Sequence, residues 1–331
     1  MAPDAAGPGR PALLLSGSRP LLRPASSEAP HGYTRPVGRV IAVLFAAAAL
    51  SAGCGASRTA HGLTLGSILE RPGPDIGVTA GASEFVPGEV RFPFLVIASN
   101  AKPVERPTAS VWVAKSRTGK PFQRVSARLE PIGVPGRSAP AFGGVTRLYV
   151  AHLKIPRPGR YWLVAQPVGA KIQALGALDV SARSRSVGVG ARAPRSATPT
   201  LATAPATRIT TSRPPDLPLL RYSVAESLAA HKPFVVTFAT PKFCTSRTCG
   251  PVVDVVEAAR RQFAARGIRF IHVEVFQDND PTRGYNRWMQ QWGLATEPWV
   301  FLVGRDGRVQ AKFEGSVSES ELAAAIRAHL L

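Results

Sequence analysis

Long apolar runs are missing from this 331-residue sequence. The apolar stretch Val40–Leu50 would span only about 16 Å as a helix, roughly half of a bilayer's hydrocarbon core, so no stable transmembrane helix is expected there. Cysteine is also scarce, with three residues in the chain: Cys54 stands alone, whereas Cys244 and Cys249 are separated by four residues. A hydrophobic content of 45% nevertheless suffices for apolar cores, and the length allows about two domains plus tails.

Acidic residues are few, since 21 Asp and Glu face 41 Lys and Arg and the formal net charge is +20. Residues 182–215 carry six arginines and no acid, whereas the chain from Asp216 onward has fourteen basic and twelve acidic residues. The sequence also lacks a helix-turn-helix pattern, a zinc-finger spacing and an aromatic RNA-binding signature. Nucleic acid is therefore not the expected partner, and a solvated basic linker near an acidic cell envelope is the preferred interpretation.

The N-terminal residues have the pattern of an export signal. Arg35 and Arg39 precede the apolar stretch, which has the length of a signal-peptide core. The segment Leu50-Ser51-Ala52-Gly53-Cys54 resembles the lipobox of bacterial lipoproteins, whose cysteine is diacylated and becomes the mature N-terminus. This resemblance implies lipidation of Cys54 and an extracytoplasmic protein anchored to the cell membrane as a lipoprotein. The alternative, an ordinary secretory signal cut nearby, also exports the protein.

Composition divides the chain into five segments. They are a disordered leader with the lipoprotein signal peptide (1–54), a tether (55–83), a β-sandwich domain (84–181), a linker rich in Pro, Arg, Ser and Thr (182–218), and a final domain (219–331). Within the linker, residues 189–194 resemble the lead-in to many redoxin domains, which implies that this part packs on the final domain.

Six segments of the middle domain are short, rich in Val, Phe, Tyr and Trp, and separated by turn clusters. They are Glu89–Ala98, Ala109–Lys115, Gln123–Glu130, Arg147–Ile155, Arg160–Gln166 and Ile172–Val180. Because no long helical period interrupts them, they predict an antiparallel, immunoglobulin-like β-sandwich. The domain has no carboxylate pair, metal cluster or nucleophile constellation, so its expected role is that of a binding or spacer module.

From Tyr222 the pattern changes to alternating helices and strands. The predicted elements are Ser223–His231, Phe234–Thr240, Val252–Arg266, Ile268–Phe276, Tyr285–Trp292, Trp299–Val303, Val309–Glu314 and Ser318–Leu331, in the order α-β-α-β-α-β-β-α. Ser223 with Glu226, and Ser318 with Glu321, have the spacing of capping boxes at the first and last helices.

This order, with two cysteines between a strand and the next helix, resembles the thioredoxin family. Cys249-Gly250-Pro251 is similar to the start of the family's CGPC motif, and Thr296-Glu297-Pro298 to the segment that holds its cis-proline. The resemblance implies a cis bond before Pro298, close to the redox cysteines, with Trp299 beginning a strand. The expected fold class is therefore multidomain: an N-terminal all-β immunoglobulin-like sandwich plus a C-terminal α/β thioredoxin-like fold.

The cysteine spacing departs from the family's motif. Val252 takes the place of the resolving cysteine, which leaves Cys244 as the expected disulfide partner of Cys249. Four intervening residues can turn enough to bring the two Cα atoms within the roughly 4.4–6.8 Å that a disulfide requires. Cys249 is expected to be the nucleophile, because the helix N-terminus and Arg247 should lower its pKa, and Cys244 to resolve.

The second departure from the family's pattern concerns the proton acceptor. Thr237 occupies the place of the family's buried aspartate, so a water molecule or Glu297 would have to move the proton of the resolving thiol.

The leading hypothesis is a membrane-tethered thiol–disulfide oxidoreductase that needs no cofactor or metal. Its expected partners are exported proteins with thiols or disulfides, or a membrane electron donor. A non-catalytic envelope binding protein with a structural Cys244–Cys249 disulfide is the alternative. A peroxiredoxin-like thiol peroxidase is less favoured, because Thr237 and Pro241 stand at the spacings where peroxide chemistry needs a Pro and a Thr. Copper handling would need a histidine beside the thiols, and His272 is more simply a packed strand residue.

Overall fold

The computed structural model describes residues 62–73, 75–171 and 173–331. The expected export signal and the lipidation site at Cys54 lie outside these residues. Within them, none of the helices combines the length and the apolar character needed to cross a bilayer.

Seven strands close into a β-barrel in the first half of the described chain. They are β1 (Asp75–Ala80), β2 (Gly88–Ile97), β3 (Thr108–Ala114), β4 (Gln123–Pro131), β5 (Arg147–Ile155), β6 (Gly159–Pro167) and β7 (Gln173–Val180). The order around the barrel is β1-β2-β5-β4-β3-β6-β7. Phe92, Phe94 and Tyr149 stack inside it, because alternate residues of each strand face the interior. The short helix α1 (Leu65–Leu69) packs on Trp112 outside this core.

The fold class expected from the sequence is wrong. The six predicted strands are present as β2 to β7, but residues 75–80, which had been assigned to the tether, form a seventh strand. This strand pairs antiparallel with β2 and parallel with β7, so it joins both edges of the sheet and makes one closed barrel instead of an immunoglobulin-like sandwich. The second half of the chain forms a separate four-stranded sheet with few helices. It is not the clear thioredoxin-like α/β fold that was expected to follow the sandwich.

The second sheet has the order β11-β10-β8-β9. Its strands are β8 (Phe234–Phe238), β9 (Arg269–Val273), β10 (Trp299–Val303) and β11 (Val309–Glu314), and the helices near it are α2 (Ala206–Ile209), α3 (Val224–Ala229), α4 (Cys249–Phe263), α5 (Arg287–Gln291) and α6 (Glu319–His329). Strands β8 and β9 are parallel, whereas β10 is antiparallel to both of its neighbours. All five residues of β8 are buried, because α4 and α6 pack on one face of the sheet and α3 and α5 on the other.

The helix ends follow from local sequence. Both predicted capping boxes are confirmed: the side chains of Ser223 and Ser318 accept from the N–H groups of Glu226 and Glu321, which reach back to the cap residues. After α4 a short turn of 3₁₀-helix ends at Gly267, whose φ of +80° suits a residue without a Cβ atom.

Residues 183–215 lie against the second sheet as an additional layer. The N–H groups of Val187 and Ala193 donate to the carbonyls of Trp292 and Gly307. The indole N–H of Trp292, which is fully buried, donates to Ser196 Oγ at 3.1 Å. These bonds satisfy backbone groups that a free linker would leave to water, so part of the expected linker is ordered structure.

Two carboxylates join the barrel to the second sheet. Glu321 of α6 accepts two hydrogen bonds from Arg91 of β2, at 2.7 and 2.9 Å. Glu84, which precedes β2, accepts from Lys312 Nζ at 2.8 Å and from the hydroxyl groups of Ser184 and Ser186 at 2.6 Å each. Burial alone would raise the pKa of Glu84, but these hydrogen bonds outweigh it and lower the pKa to about 2. The barrel is therefore attached to the sheet by polar bonds that are largely shielded from water.

Candidate active site

The two late cysteines lie at the carboxyl end of β8, on the face of the sheet that α4 covers. Residues 239–248, the cysteine loop, connect β8 to α4, and Cys249 is the first residue of that helix. The N–H of Cys244 donates to the carbonyl of Thr240 at 3.1 Å, and the carbonyl of Cys244 accepts from the N–H of Arg247. These two turns fold the loop back on itself, so that Cys244 returns to the beginning of α4.

The structure brings the two sulfurs together as free thiols. The nearby Cys249 side chain and the backbone N–H groups of Thr248 and Cys249 favour the thiolate form of Cys244 and lower its pKa. Ser246 Oγ lies 3.2 Å from the same sulfur and 2.7 Å from the hydroxyl of Thr248. The unpaired amides at the start of α4 thus point at Cys244 and not at the cysteine that begins the helix.

The pKa direction of Cys249 is opposite to the one expected from the sequence. The hydrogen bond from Cys249 is the main cause that lowers the pKa of Cys244, to about 5, and the contacts with Ser246 and the helix amides act in the same direction against burial. Burial raises the pKa of Cys249, and the neighbouring Cys244 raises it further. The expectation that the helix start and Arg247 lower the pKa of Cys249 is therefore wrong. These directions favour Cys244 as the thiolate of the pair.

Glu297 is the acidic residue placed beside the thiols. Its carboxylate accepts a hydrogen bond from the hydroxyl of Tyr285 at 2.6 Å. Burial raises the pKa of Glu297, and the charge on Cys244 adds to that effect. The Glu297–Pro298 peptide bond is cis, as the sequence had led us to expect. Thr237 does not act in place of an acid, because its buried hydroxyl donates to the carbonyl of Trp299.

The remaining predicted site residues separate into two groups. Arg247, Gly250 and Pro251 line a cavity of about 520 Å³ that opens onto Cys244. Trp299 instead packs in the core cluster that contains Trp292, on the face of the sheet opposite the cysteines. Its indole N–H donates to Thr296 Oγ1, which is a structural contact.

Sequence reasoning missed three polar contacts of the site. Ser246 and Thr248 lie between the cysteines, and a count of hydroxyl groups in this loop could have suggested them. Tyr285 carried no local signal, because it reaches Glu297 from a separate segment that follows β9.

A metal centre finds no support in the described part of the chain, where no group of three His, Cys, Asp or Glu side chains converges. The ring nitrogens of His272 contact the carbonyl of Ala239 at 3.0 Å and the hydroxyl of Thr210 at 3.4 Å. His272 is thus buried and partnered away from the sulfurs.

The comparisons with known proteins include weak structural likenesses. No family model matches the sequence, and no curated protein matches it. The chain has a weak structural similarity to a thiol:disulfide interchange protein of the thioredoxin family from Chlorobium tepidum, at 18% identity and a TM-score of 0.27, over 32% of this chain and 85% of that one. MtrC from Shewanella baltica gives a TM-score of 0.19 at 14% identity, over 71% of this chain and 51% of that one. At these TM-scores neither likeness establishes a shared fold.

Proposed function

We propose that the protein is a thiol–disulfide oxidoreductase that uses Cys244 and Cys249. The observation that carries this proposal is the placement of Cys244 on the loop directly before α4 and of Cys249 as the first residue of that helix, with a cavity lined by Cys244, whose pKa is lowered. A thiolate beside a resolving thiol is the arrangement that disulfide exchange requires. A bond that served stability alone would need neither a lowered pKa nor an opening to solvent.

The exchange has two steps. The Cys244 thiolate attacks one sulfur of a substrate disulfide, that disulfide breaks, and its other sulfur leaves as a thiolate. Cys249 then loses its proton and attacks Cys244 in the mixed disulfide, which releases the second substrate sulfur and forms the Cys244–Cys249 bond. Two electrons pass from the protein to the substrate, and a dithiol partner restores the reduced form. The carboxylate of Glu297, whose pKa is raised, is the group suited to receive the proton of Cys249.

Trapping of mixed disulfides tests this assignment. In Cys249→Ser the second step is blocked, so a disulfide-linked adduct with a peptide disulfide should accumulate on Cys244. In Cys244→Ser no such adduct should form on Cys249, because that thiol is buried and protonated. Mass spectrometry of tryptic peptides distinguishes these sites from Cys54.

Two results would contradict the proposal. Adducts on Cys249 in Cys244→Ser would restore the roles expected from the sequence. A midpoint potential of the wild-type pair below about −300 mV, together with no insulin reduction, would instead support a structural disulfide in a non-catalytic binding protein.

We further propose that the protein is exported and anchored by a lipid on Cys54. The support is the basic flank, the apolar stretch and the small residues before this cysteine. On this proposal its partners are exported proteins with thiols or disulfides, or an electron donor in the membrane.

Cell fractionation tests the anchor. Wild-type protein should sediment with membranes, and Cys54→Ala should release most of it into the extracytoplasmic soluble fraction. Cys244→Ser is the matched control and should stay with the membranes. Wild-type protein in the soluble fraction would favour the ordinary secretory signal.

A further inference from the structure

The cavity over Cys244 has an unusual distribution of charge. Among its lining residues, which come from the loop between β4 and β5, the cysteine loop and the first turn of α4, Lys242 and Arg247 carry permanent charges and both are positive. The other lining side chains are alanine, proline or glycine, apart from Cys244 itself. No acidic residue lines the cavity.

Both cations are exposed, and no described carboxylate lies within ion-pair distance of either one. The ammonium of Lys242 lies 5.0 Å from the centre of the Phe243 ring, and no salt bridge to the Arg247 guanidinium is formed within the described residues. Asp216 and Asp254 pair instead with Arg137, in the loop between β4 and β5. Lys242 and Arg247 form the basic rim of the cavity, and their positive charge is therefore available to a ligand.

The backbone at position 247 adds an independent observation. Arg247 has a φ of +56°, in the left-handed region where glycine is the favoured residue. An arginine at this position is held in a conformation that disfavours its side chain, although a glycine would close the same turn. Strained non-glycine residues of this kind concentrate at functional sites.

The barrel fixes the opposite wall of the cavity. The N–H of Phe142, in the loop between β4 and β5, donates to the carbonyl of Ser246 at 2.9 Å, and Ser138 Oγ donates to Asp254 of α4 at 2.6 Å. Ala139 and Pro140 lie between these two anchors and face Lys242 and Arg247 across the cavity. The cavity over Cys244 is therefore lined on the barrel side by apolar residues and on the side of the cysteine loop by Lys242 and Arg247.

We propose that this rim selects disulfides whose cysteine is flanked by acidic residues, so that the preferred partner is an acidic polypeptide segment. The inference rests on the proposed exchange function and names its substrate class. Carboxylates beside the attacked cysteine would meet Lys242 and Arg247 while the substrate sulfur meets Cys244. A basic segment would be repelled at the same place.

Paired peptide disulfides test the preference. Two five-residue peptides, identical except for Asp or Lys on both sides of the cysteine, are oxidised to symmetric disulfides and mixed with the full-length Cys249→Ser protein. Adduct formation on Cys244 should be about tenfold faster with the Asp peptide at low ionic strength. The preference should fall in 1 M salt, where screening acts over about 3 Å.

Three further variants, each combined with Cys249→Ser, test whether Lys242 and Arg247 cause the preference for the Asp peptide. Arg247→Gly, which suits the local backbone, should reduce the preference to about threefold without lowering the melting temperature more than the control does. Lys242→Glu combined with Arg247→Glu should reverse it. Lys232→Glu is the matched control: this exposed lysine precedes β8, at the end of the strand remote from the cysteine loop, and its substitution should leave the preference unchanged.

The outcomes separate this inference from the exchange function. The proposed selection by the basic rim would be contradicted by equal rates with both peptides. A preference for the Asp peptide that remains after the double substitution would contradict it too. Neither result would argue against the exchange function. Failure of both peptides to modify Cys244, in all variants, would remove the exchange function itself.

Discussion

Cys244→Ser is expected to lower the rate of protein alkylation by iodoacetamide at pH 7, measured at Cys244 and Cys249 together, by roughly a hundredfold or more. At this pH Cys244 is largely a thiolate, since its pKa is lowered to about 5. Cys249 is fully buried, and burial raises its pKa, so it supplies almost no thiolate in the variant. Mass spectrometry that resolves each cysteine-containing peptide measures the two sites and leaves Cys54 out of the rate.

The pH profile of the wild type gives the sharper test. Alkylation of Cys244 should reach half of its maximal rate near pH 5, whereas an ordinary cysteine does so near its unperturbed value of about 8.5. Cys249→Ser is the control that keeps Cys244 reactive. Because the thiol of Cys249 is the main cause of the lowered pKa, Cys249→Ala, which removes the donor that a serine would keep, should move the midpoint to higher pH. Faster modification of Cys249 than of Cys244 in the wild type would contradict the assignment of roles.

Glu84→Gln is expected to destabilise the folded protein by about 3 kcal/mol at pH 7. The side chain of Glu84 is 14% exposed and holds Lys312 together with two serine hydroxyl groups. A neutral amide would leave the ammonium of Lys312 partly buried without its counter-charge. Thermal and urea unfolding of the two proteins at the same pH measure the difference.

The pH dependence of this contribution has a definite sign. The pKa of Glu84 falls from 4.5 to about 2 on folding, so the unfolded chain binds the proton first as the pH falls. The stabilisation is therefore present above about pH 4.5 and is lost as the pH approaches 2, and it should be absent from Glu84→Gln. Glu89→Gln is the matched control: Glu89 is 71% exposed and lies 3.6 Å from Lys154, so its loss should matter little. Equal destabilisation by both substitutions would contradict the special role of Glu84.

The sequence predicted individual elements better than their arrangement. Two strands have the ends that were predicted, Trp299–Val303 and Val309–Glu314. The two capping boxes are also present as predicted, because each depends on residues only three positions apart. Strand β1 was missed because Gly77 and the following Gly81 give it the composition of a loop. Its pairing with β7 joins segments about a hundred residues apart, and no local pattern reports such a contact.

The candidate site shows the same division. The pair Cys244 and Cys249 and the neighbouring Glu297 were visible in the sequence as motif fragments. The direction in which the N–H groups at the start of α4 point was not visible in the sequence, because it depends on how residues 244–248 turn in space. The predicted start of α4 therefore located the candidate site. It did not indicate which of the two thiols has the lowered pKa.

The layer formed by residues 183–215 sets a limit on how the protein can be divided. A fragment cut at residue 219, where composition alone places the boundary, would lose Ser196 and Ala193 and leave the Trp292 indole open to water. Such a fragment should aggregate or unfold more readily than one that begins near residue 183. The smallest piece able to keep Trp292 in its native surroundings is therefore about a third longer than the predicted final domain.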